Sequence, residues 1–522
     1  MLIAPLTCSV RQSDHRLAQA WRSSWECRMK RFSILAIALA VAVITSGCTP
    51  PPRTSESGTI DEKTGYRPTP TTRRTVVFAT FSGGGTRAAA LAYGTLMELR
   101  KQALPNGTRL IDRVESVSSV SGGSVTAAYW ALNGPDGLDG LKDEFLVQNV
   151  QRQLIIKGLS PFTWAALATP AYSRIDLLSA YLHKLFDRAT YQRLIDRGEP
   201  PFLVVNATDM ATGYVFSFTQ DQFDLLCADL AKFRLADAVA ASAAYPVLLT
   251  ALSLKNHSPC KAQENACKPN ETWKDVREER KWICGKQGPR PYWVVRDLNA
   301  DPRTDLRTLL RARRALNFLN EDNRTRYAHL LDGGIADNLG LSLLLTVLGD
   351  RDGTQFPKVR PDGKDDQQDK KPCVVIAVNA RSQPANSYGT RDTPPGISNT
   401  ILTTVGAAID STSLLLTDKL LQYPESVTCV NDRGEPGFSV VQVGFDIIQD
   451  DKCRRWFQNI STSWALADPE IDALIRIGGA LLRGSESYKK LVDDLGGTVE
   501  DGDKVDDICE NSASQFAKVH AE

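Results

Sequence analysis

The stretch TVVFATFSGGGTRAAALAYGTLMELR (Thr75–Arg100) decides the fold of this chain. Its opening residues, TVVFAT, are short-range, β-branched and apolar, as a buried parallel strand requires. The residues after Arg87 are rich in Ala, Leu and Met, which favour a helix. Three glycines, Gly83, Gly84 and Gly85, join the two. Such a loop lets backbone N–H groups approach a ligand closely, and the helix N-terminus behind it favours negative charge, so an anion, permanent or transient, is its natural guest.

Two later stretches repeat the pattern. VESVSSVSGGSVTAAYWALNG (Val114–Gly134) runs from strand to helix through Ser119-Val120-Ser121-Gly122-Gly123. A serine in a strained strand-to-helix turn needs small neighbours two positions to either side, and Ser119 and Gly123 are small. Alone, a Ser/Gly-rich turn is also an ordinary helix cap. YAHLLDGGIADNLGLSLLL (Tyr327–Leu345) puts Asp332, Gly333 and Gly334 at the end of an apolar strand, which by itself is commonly only a turn. Together the three strand ends supply oxyanion donors (Gly83, Gly84, Gly85), a nucleophile (Ser121) and a base (Asp332).

In this order the motifs resemble those of the patatin-like phospholipases. GGGTR is similar to that family's oxyanion loop, with Ala88 in place of its last glycine. SVSGG is similar to its nucleophile elbow, with Ser119 in place of the first glycine, and DGG to its dyad aspartate motif. VVNATDMATGYVFSFT (Val204–Thr219), AVAASAAYPVLL (Ala238–Leu249) and TSWALADPEIDALIRIGGALL (Thr462–Leu482) are similar to further family segments, so the resemblance spans most of Thr75 to Leu491. It implies a three-layer α/β/α fold around a central, mostly parallel sheet. The apolar runs PFLVVNAT, CVVIAVNA and FSVVQVGF, alternating with helical stretches, agree with that fold on their own terms.

The resemblance further implies a serine acyl hydrolase that cleaves carboxylic esters of lipids, of phospholipase A or lysophospholipase type, through a Ser121–Asp332 dyad without histidine, metal or other cofactor. The histidine supply suits a dyad: His183, His257 and His329 precede Asp332, and His520 lies in a polar terminal tail. An aspartate of ordinary pKa, about 3.9, is too acidic for an efficient base at neutral pH, so burial or desolvation is expected to raise that of Asp332. Arg87 is read as tying the loop down in preference to touching a substrate phosphate.

Other readings fit less of the chain. Gly83-x-Gly85-x-x-Ala88 matches a dinucleotide fingerprint, but that motif wants an acidic residue at the end of the next strand, where SVSGG stands; no nucleotide is expected. An α/β-hydrolase triad needs a histidine after its acid, and only His520 follows Asp332. From a different class, the alternative is a catalytically silent envelope lipoprotein that uses the fold to bind lipid or a partner.

Charge excludes one more class. The chain carries 62 basic and 61 acidic residues, net +1, without the basic excess of a nucleic-acid binder. MKRFSILAIALAVAVITSGC (Met29–Cys48) has the charged, apolar and small-residue regions of an export signal, with an apolar core too short to span a bilayer. Its end, TSGC, resembles a lipobox, which implies an acylated Cys48 and a lipid-anchored protein of the bacterial cell envelope. Met1–Arg28 then reads as a start-site extension without a structural role. Residues 49–74, rich in Pro, Thr and charge, are expected to form a disordered tether. The catalytic domain is expected over 75–491, interrupted by a polar insertion at 255–293, either lid or plain surface loop, and a mobile loop at 349–371; a polar tail covers 492–522. Of 11 cysteines, those other than Cys8, Cys27 and Cys48 leave eight, an even number that suggests disulfides whose pairing sequence does not choose. One is expected to staple Cys260, Cys267 or Cys284 within the insertion or to Cys227. No Cys/His ligand spacing points to a metal.

Overall fold

In the computed structural model Val76–Phe81 forms β1, an interior strand of an eight-stranded sheet. The other strands are β2 (Val114–Val120), β3 (Phe202–Asp209), β4 (Tyr214–Ser217), β5 (Leu252–Lys255), β8 (Tyr327–Leu331), β9 (Cys373–Asn379) and β10 (Phe438–Gly444). Their spatial order is β10-β9-β1-β2-β3-β8-β5, with β4 paired to β3. β10, β9, β1, β2 and β3 are mutually parallel, while β4 and β8 pair antiparallel to β3, and β5 pairs antiparallel to β8. A separate hairpin joins β6 (Trp282–Gly285) to β7 (Gly288–Pro291). The structure describes residues 53–55, 65–68, 75–160, 163, 166, 172–246, 248–258, 282–285, 288–299, 303, 306–319, 325–348, 373–383, 392, 396–421 and 437–510.

Strand alternation sorts the two faces. Val77, Ala79 and Phe81 of β1 and Val374, Ile376 and Val378 of β9 enter the main core, which also holds the apolar sides of α1 (Gly85–Lys101), α2 (Ser121–Asn133), α3 (Leu235–Ser242) and a later helix, Asp468–Gly484. Cys373, Val375 and Ala377 point the other way, into a smaller core with Leu341, Leu344 and Leu345 and with Leu416 and Leu420 of α4 (Ile397–Leu421). Helices on both faces of a mostly parallel sheet make the expected three-layer α/β/α architecture.

Register then aligns the strand ends. Phe81 lies opposite both Ser119 and Val378, and Val120 opposite Asn206, so β9, β1, β2 and β3 finish along one sheet edge. β8 meets β3 only through Thr208↔Leu331 and Asp209↔Leu330. It therefore arrives from beyond that edge and stops there, delivering Asp332 to the same place.

Three expected boundaries are corrected by packing. Where it is described, the stretch read as a free tether is docked. Arg53 pairs with Asp176 and Asp237, Thr54 Oγ1 donates to the Lys255 carbonyl at 2.7 Å, and Arg67 pairs with Asp224 at 2.6 Å. Tyr66 is buried, stacks on Phe202 at 4.5 Å and accepts the Leu203 N–H at 2.6 Å. One aromatic and two paired arginines are enough to hold a polar segment with little apolar surface of its own. The insertion begins later than Lys255, because Asn256 and Ser258 are buried and donate to the carbonyls of Phe318 (2.6 Å) and Leu319 (2.8 Å). Most of its remainder, and all of 349–371, lies outside the described residues. The terminal tail, though largely exposed, is fastened near the end of its described part: Ile508 is fully buried, and Cys509 is bonded to Cys453 with a Cα separation of 5.4 Å.

That disulfide closes a loop of 56 residues, a length for which chain entropy gives about 4 kcal/mol. Replacing Cys453 and Cys509 together by serine is expected to lower unfolding stability by about 2–4 kcal/mol in urea titration and to expose the chain beyond Leu495 to proteolysis. An unchanged midpoint would show that packing alone holds the tail. Cys227 and Cys373 are disulfide-bonded as well.

Candidate active site

The elbow turns in one residue. Val120 is extended at φ −138°, and Ser121, which opens α2, takes φ +48°. A non-glycine residue in that region costs about 1–3 kcal/mol, which the surroundings must hold. They do so by hydrogen bonds. The Ser121 N–H donates to Ser242 Oγ at 2.8 Å, and Ser242 Oγ donates to the Asn206 carbonyl at 2.6 Å. Asn206 Nδ2 in turn donates to Ser118 Oγ (2.9 Å) and to the Ser119 carbonyl (3.1 Å). Ser119 contributes more than small size, since its buried hydroxyl donates to the Val204 carbonyl at 3.1 Å. Gly123 sits where a Cβ would stand 2.5 Å from the Ser82 carbonyl oxygen, so the elbow is pressed against the glycine loop.

The loop itself needs glycine at Gly84 (φ +138°) and Gly85 (φ +60°). Gly83 is different. Its N–H, one of the three expected donors, donates to the Asn338 carbonyl at 3.0 Å and so anchors the loop. The Gly84 and Gly85 N–H groups donate to no protein acceptor among the described residues. Arg87 is buried and donates from Nε to the Ala380 carbonyl (2.9 Å) and from Nη1 to the Ile460 carbonyl (2.5 Å). Burial pushes its pKa down to about 10. It fastens the loop to the end of β9 and to the Ile460 turn.

Asp332 is 5% exposed. Its N–H donates to the Ala244 carbonyl at 3.0 Å, its carboxylate accepts the Gly334 N–H at 2.8 Å, and the Ser121 hydroxyl lies close enough to its side chain to favour the charged form. Burial pushes its pKa up to about 6, against the lowering effect of the Gly334 N–H and the Ser121 hydroxyl. Gly333 donates to the Ser242 carbonyl at 3.0 Å, and a Cβ there would stand 2.2 Å from the Asn206 carbonyl oxygen. Ser242 thus joins both halves of the site, by its hydroxyl to Ser121 and by its carbonyl to the Asp332 turn. Sequence reasoning attached no role to Ser242 or Asn206, although both lie in the quoted stretches AVAASAAYPVLL and VVNATDMATGYVFSFT. The available signal was a small polar residue inside a run of otherwise buried apolar ones.

No described histidine bonds to Ser121 or Asp332. His329 Nδ1 pairs with Ser253 Oγ at 2.8 Å and His257 Nε2 with Thr54 Oγ1 at 3.2 Å. His520 and Cys48 lie outside the described residues. Among the described residues no group of three His, Cys, Asp or Glu is placed to hold a metal ion.

A strained serine thus stands beside a buried carboxyl and two backbone N–H groups that have no protein acceptor among the described residues, at the carboxyl edge of an α/β/α sheet. The family model for patatin-like phospholipases matches residues 79–345, and the chain belongs to that family. No curated protein sequence matches the chain. Among solved structures it is similar to VipD from Legionella pneumophila (13% identity, TM-score 0.28, 84% of this chain and 71% of that one) and to the type III effector protein ExoU (14%, 0.21, 55% and 60%). Human GIVD cytosolic phospholipase A2 is a third (20% identity, TM-score 0.21), of which this chain spans 22% with 27% of its own length.

Proposed function

We propose that this protein hydrolyses carboxylic esters of lipids, as a phospholipase A or lysophospholipase, with Ser121 as nucleophile and Asp332 as base. The observation that carries this reading is the Ser121 hydroxyl facing a buried carboxyl whose pKa is raised to about 6. A carboxylate of that basicity is ionised at neutral pH yet able to take a proton. Ser121 Oγ attacks the ester carbonyl while its proton passes to Asp332. The tetrahedral oxyanion is held by the Gly84 and Gly85 N–H groups, at the N-terminus of α1, and the N-terminus of α2 adds positive potential at the nucleophile. Asp332 then gives the proton to the leaving alcohol. A water molecule attacks the acyl-enzyme, loses its proton to Asp332, and the acid departs as Ser121 recovers its hydrogen.

Covalent labelling tests this directly. A fluorophosphonate is expected to attach to one residue, Ser121, by peptide mass spectrometry, and Ser121→Ala to remove the label without shifting the thermal midpoint beyond about 2 °C, since it deletes one hydroxyl. A folded protein that takes no label and cleaves no ester would instead be a silent member that uses the fold for binding. With Cys48 as acylated N-terminus the enzyme would work at a membrane of the cell envelope.

A further inference from the structure

α4 is apolar where it meets solvent. Between Ile397 and Thr417 its one charged residue is Asp410, paired with Arg381 at 3.3 Å. The outward positions carry Ile401, Leu414 and Leu415, the last 69% exposed, among Thr, Ser and Ala. A surface helix ordinarily places charges there. The inner face is occupied, for Ser413, Leu416 and Leu420 are buried and the two leucines belong to the smaller core. So although α4 is long and apolar enough to cross a bilayer, it lies along the body of the protein.

Its place in the fold matters as much as its composition. α4 packs on the turn Gly334–Asp337, directly after Asp332, and its Leu402 carbonyl accepts the Tyr245 hydroxyl at 3.5 Å. The helix Val150–Gly158 and its C-cap show a second exposed ridge of Ile155, Ile156 and Leu159. That helix is tied to the glycine loop: the Gln151 N–H donates to the Trp464 carbonyl at 3.3 Å, and the preceding Ser463 carbonyl accepts the Thr86 N–H at 2.9 Å. One apolar ridge is thus joined to the turn after Asp332 and the other to the start of α1, directly after the glycine loop.

We propose that these ridges, with α4 as the larger, form a docking face for the surface of a lipid bilayer, from which the ester passes directly to Ser121. The proposal rests on lipid ester hydrolysis as the function, and it commits to the bilayer for two reasons. The face adjoins, through the turn after Asp332, a site whose proposed substrate resides in a bilayer, and the uncharged, hydroxyl-bearing composition of α4 suits the boundary between headgroups and acyl chains. The N-terminal chain also leads there. Arg53 is pinned to Asp176 of the helix Arg174–Leu185, which packs against the helix Val150–Gly158 of the second ridge. Five peptide units separate Arg53 from Cys48, a reach of at most about 18 Å, so an acyl group on Cys48 holds this side of the protein at the membrane.

The test uses the full chain carrying Cys48→Ser, so that no acyl anchor contributes, and vesicles of ether-linked phosphatidylcholine, which has no ester to cleave. Leu414→Asp with Leu415→Asp is expected to weaken vesicle binding about 100-fold, each leucine contributing roughly tenfold. Hydrolysis of a dissolved short-chain nitrophenyl ester is expected to stay within about twofold, since neither leucine touches the site. Ile155→Asp with Ile156→Asp, on the other ridge and in another helix, should weaken vesicle binding in the same direction and serves if the first variant fails to fold. Undiminished vesicle binding in folded variants overturns the proposal, and so does a wild-type dimer that the leucine changes dissociate, because a second copy would then cover the face. Failure of the wild type to cleave the dissolved ester would overturn the hydrolase reading alone, while vesicle binding would still report on the face.

Discussion

Asp332→Asn is expected to lower ester turnover on the order of 10⁴-fold and, above about pH 6, to make the protein more stable. The loss follows from keeping shape and removing the base: an amide can accept the Gly334 N–H but cannot take the Ser121 proton. The gain follows from linkage. Asp332 has a folded pKa of about 6 against an ordinary 3.8, because burial disfavours its charge. Between those pH values the folded chain keeps a proton that the unfolded chain has released. The contribution of this carboxyl to stability is thus most favourable below about pH 4, declines as pH rises through about 6, and is level beyond. At neutral pH the buried charge costs about 2–3 kcal/mol, most of which an amide recovers. Urea titrations near pH 4 and near pH 8 should show a larger gain at the higher pH. The wild-type rate should fall as acid protonates Asp332 near pH 6. Retained turnover, or an equal stability change at both pH values, would remove Asp332 from the role of base.

Gly122→Ala is expected to disable the enzyme without touching a reacting atom. A Cβ on Gly122 would stand 2.0 Å from the Gly85 carbonyl oxygen and 2.6 Å from its carbon. Both are backbone, so no side-chain rotation relieves the clash, and the start of α2 must move away from the glycine loop. Ser121 then loses its alignment with the Gly84 and Gly85 N–H groups. Loss of one oxyanion donor commonly costs about 100- to 1,000-fold in turnover, and overpacking a tight contact about 1–3 kcal/mol in stability. Gly484→Ala is the matched control. No atom lies within 4 Å of a Cβ there, and alanine at a helix end should leave both quantities near wild type. Comparable turnover in the two variants would show that the contact between elbow and loop does not set the geometry.

The residues proposed for the chemistry were legible because each depends on local demands. A glycine loop, a serine between small residues and an Asp-Gly-Gly turn announce themselves at strand ends, where backbone must reverse within one or two residues. The α/β/α layering was legible for the same reason, since unbroken apolar strands need cover on both faces. Beyond the Ser121–Asp332 pairing that the resemblance implied, what the sequence left open was the choice of partner across the chain. Gly83 and Gly84 look alike in sequence, but the Asn338 carbonyl, brought up by the turn after β8, consumes the first N–H and spares the second. Ser242 and Asn206 matter only because β2, β3 and α3 converge behind Ser121. Arg53 and Tyr66 lie in a stretch whose composition predicts freedom, yet Asp176, Asp237 and the Leu203 N–H fix them. Cys509 is bonded to Cys453, of the helix Asp451–Asn459, because the fold brings their Cα atoms to 5.4 Å across 56 residues of sequence. Local conformation is set by each residue's own sterics and polarity, whereas a hydrogen-bond partner, a burial cost or a disulfide depends on segments far apart in sequence, and only the folded sheet brings those together.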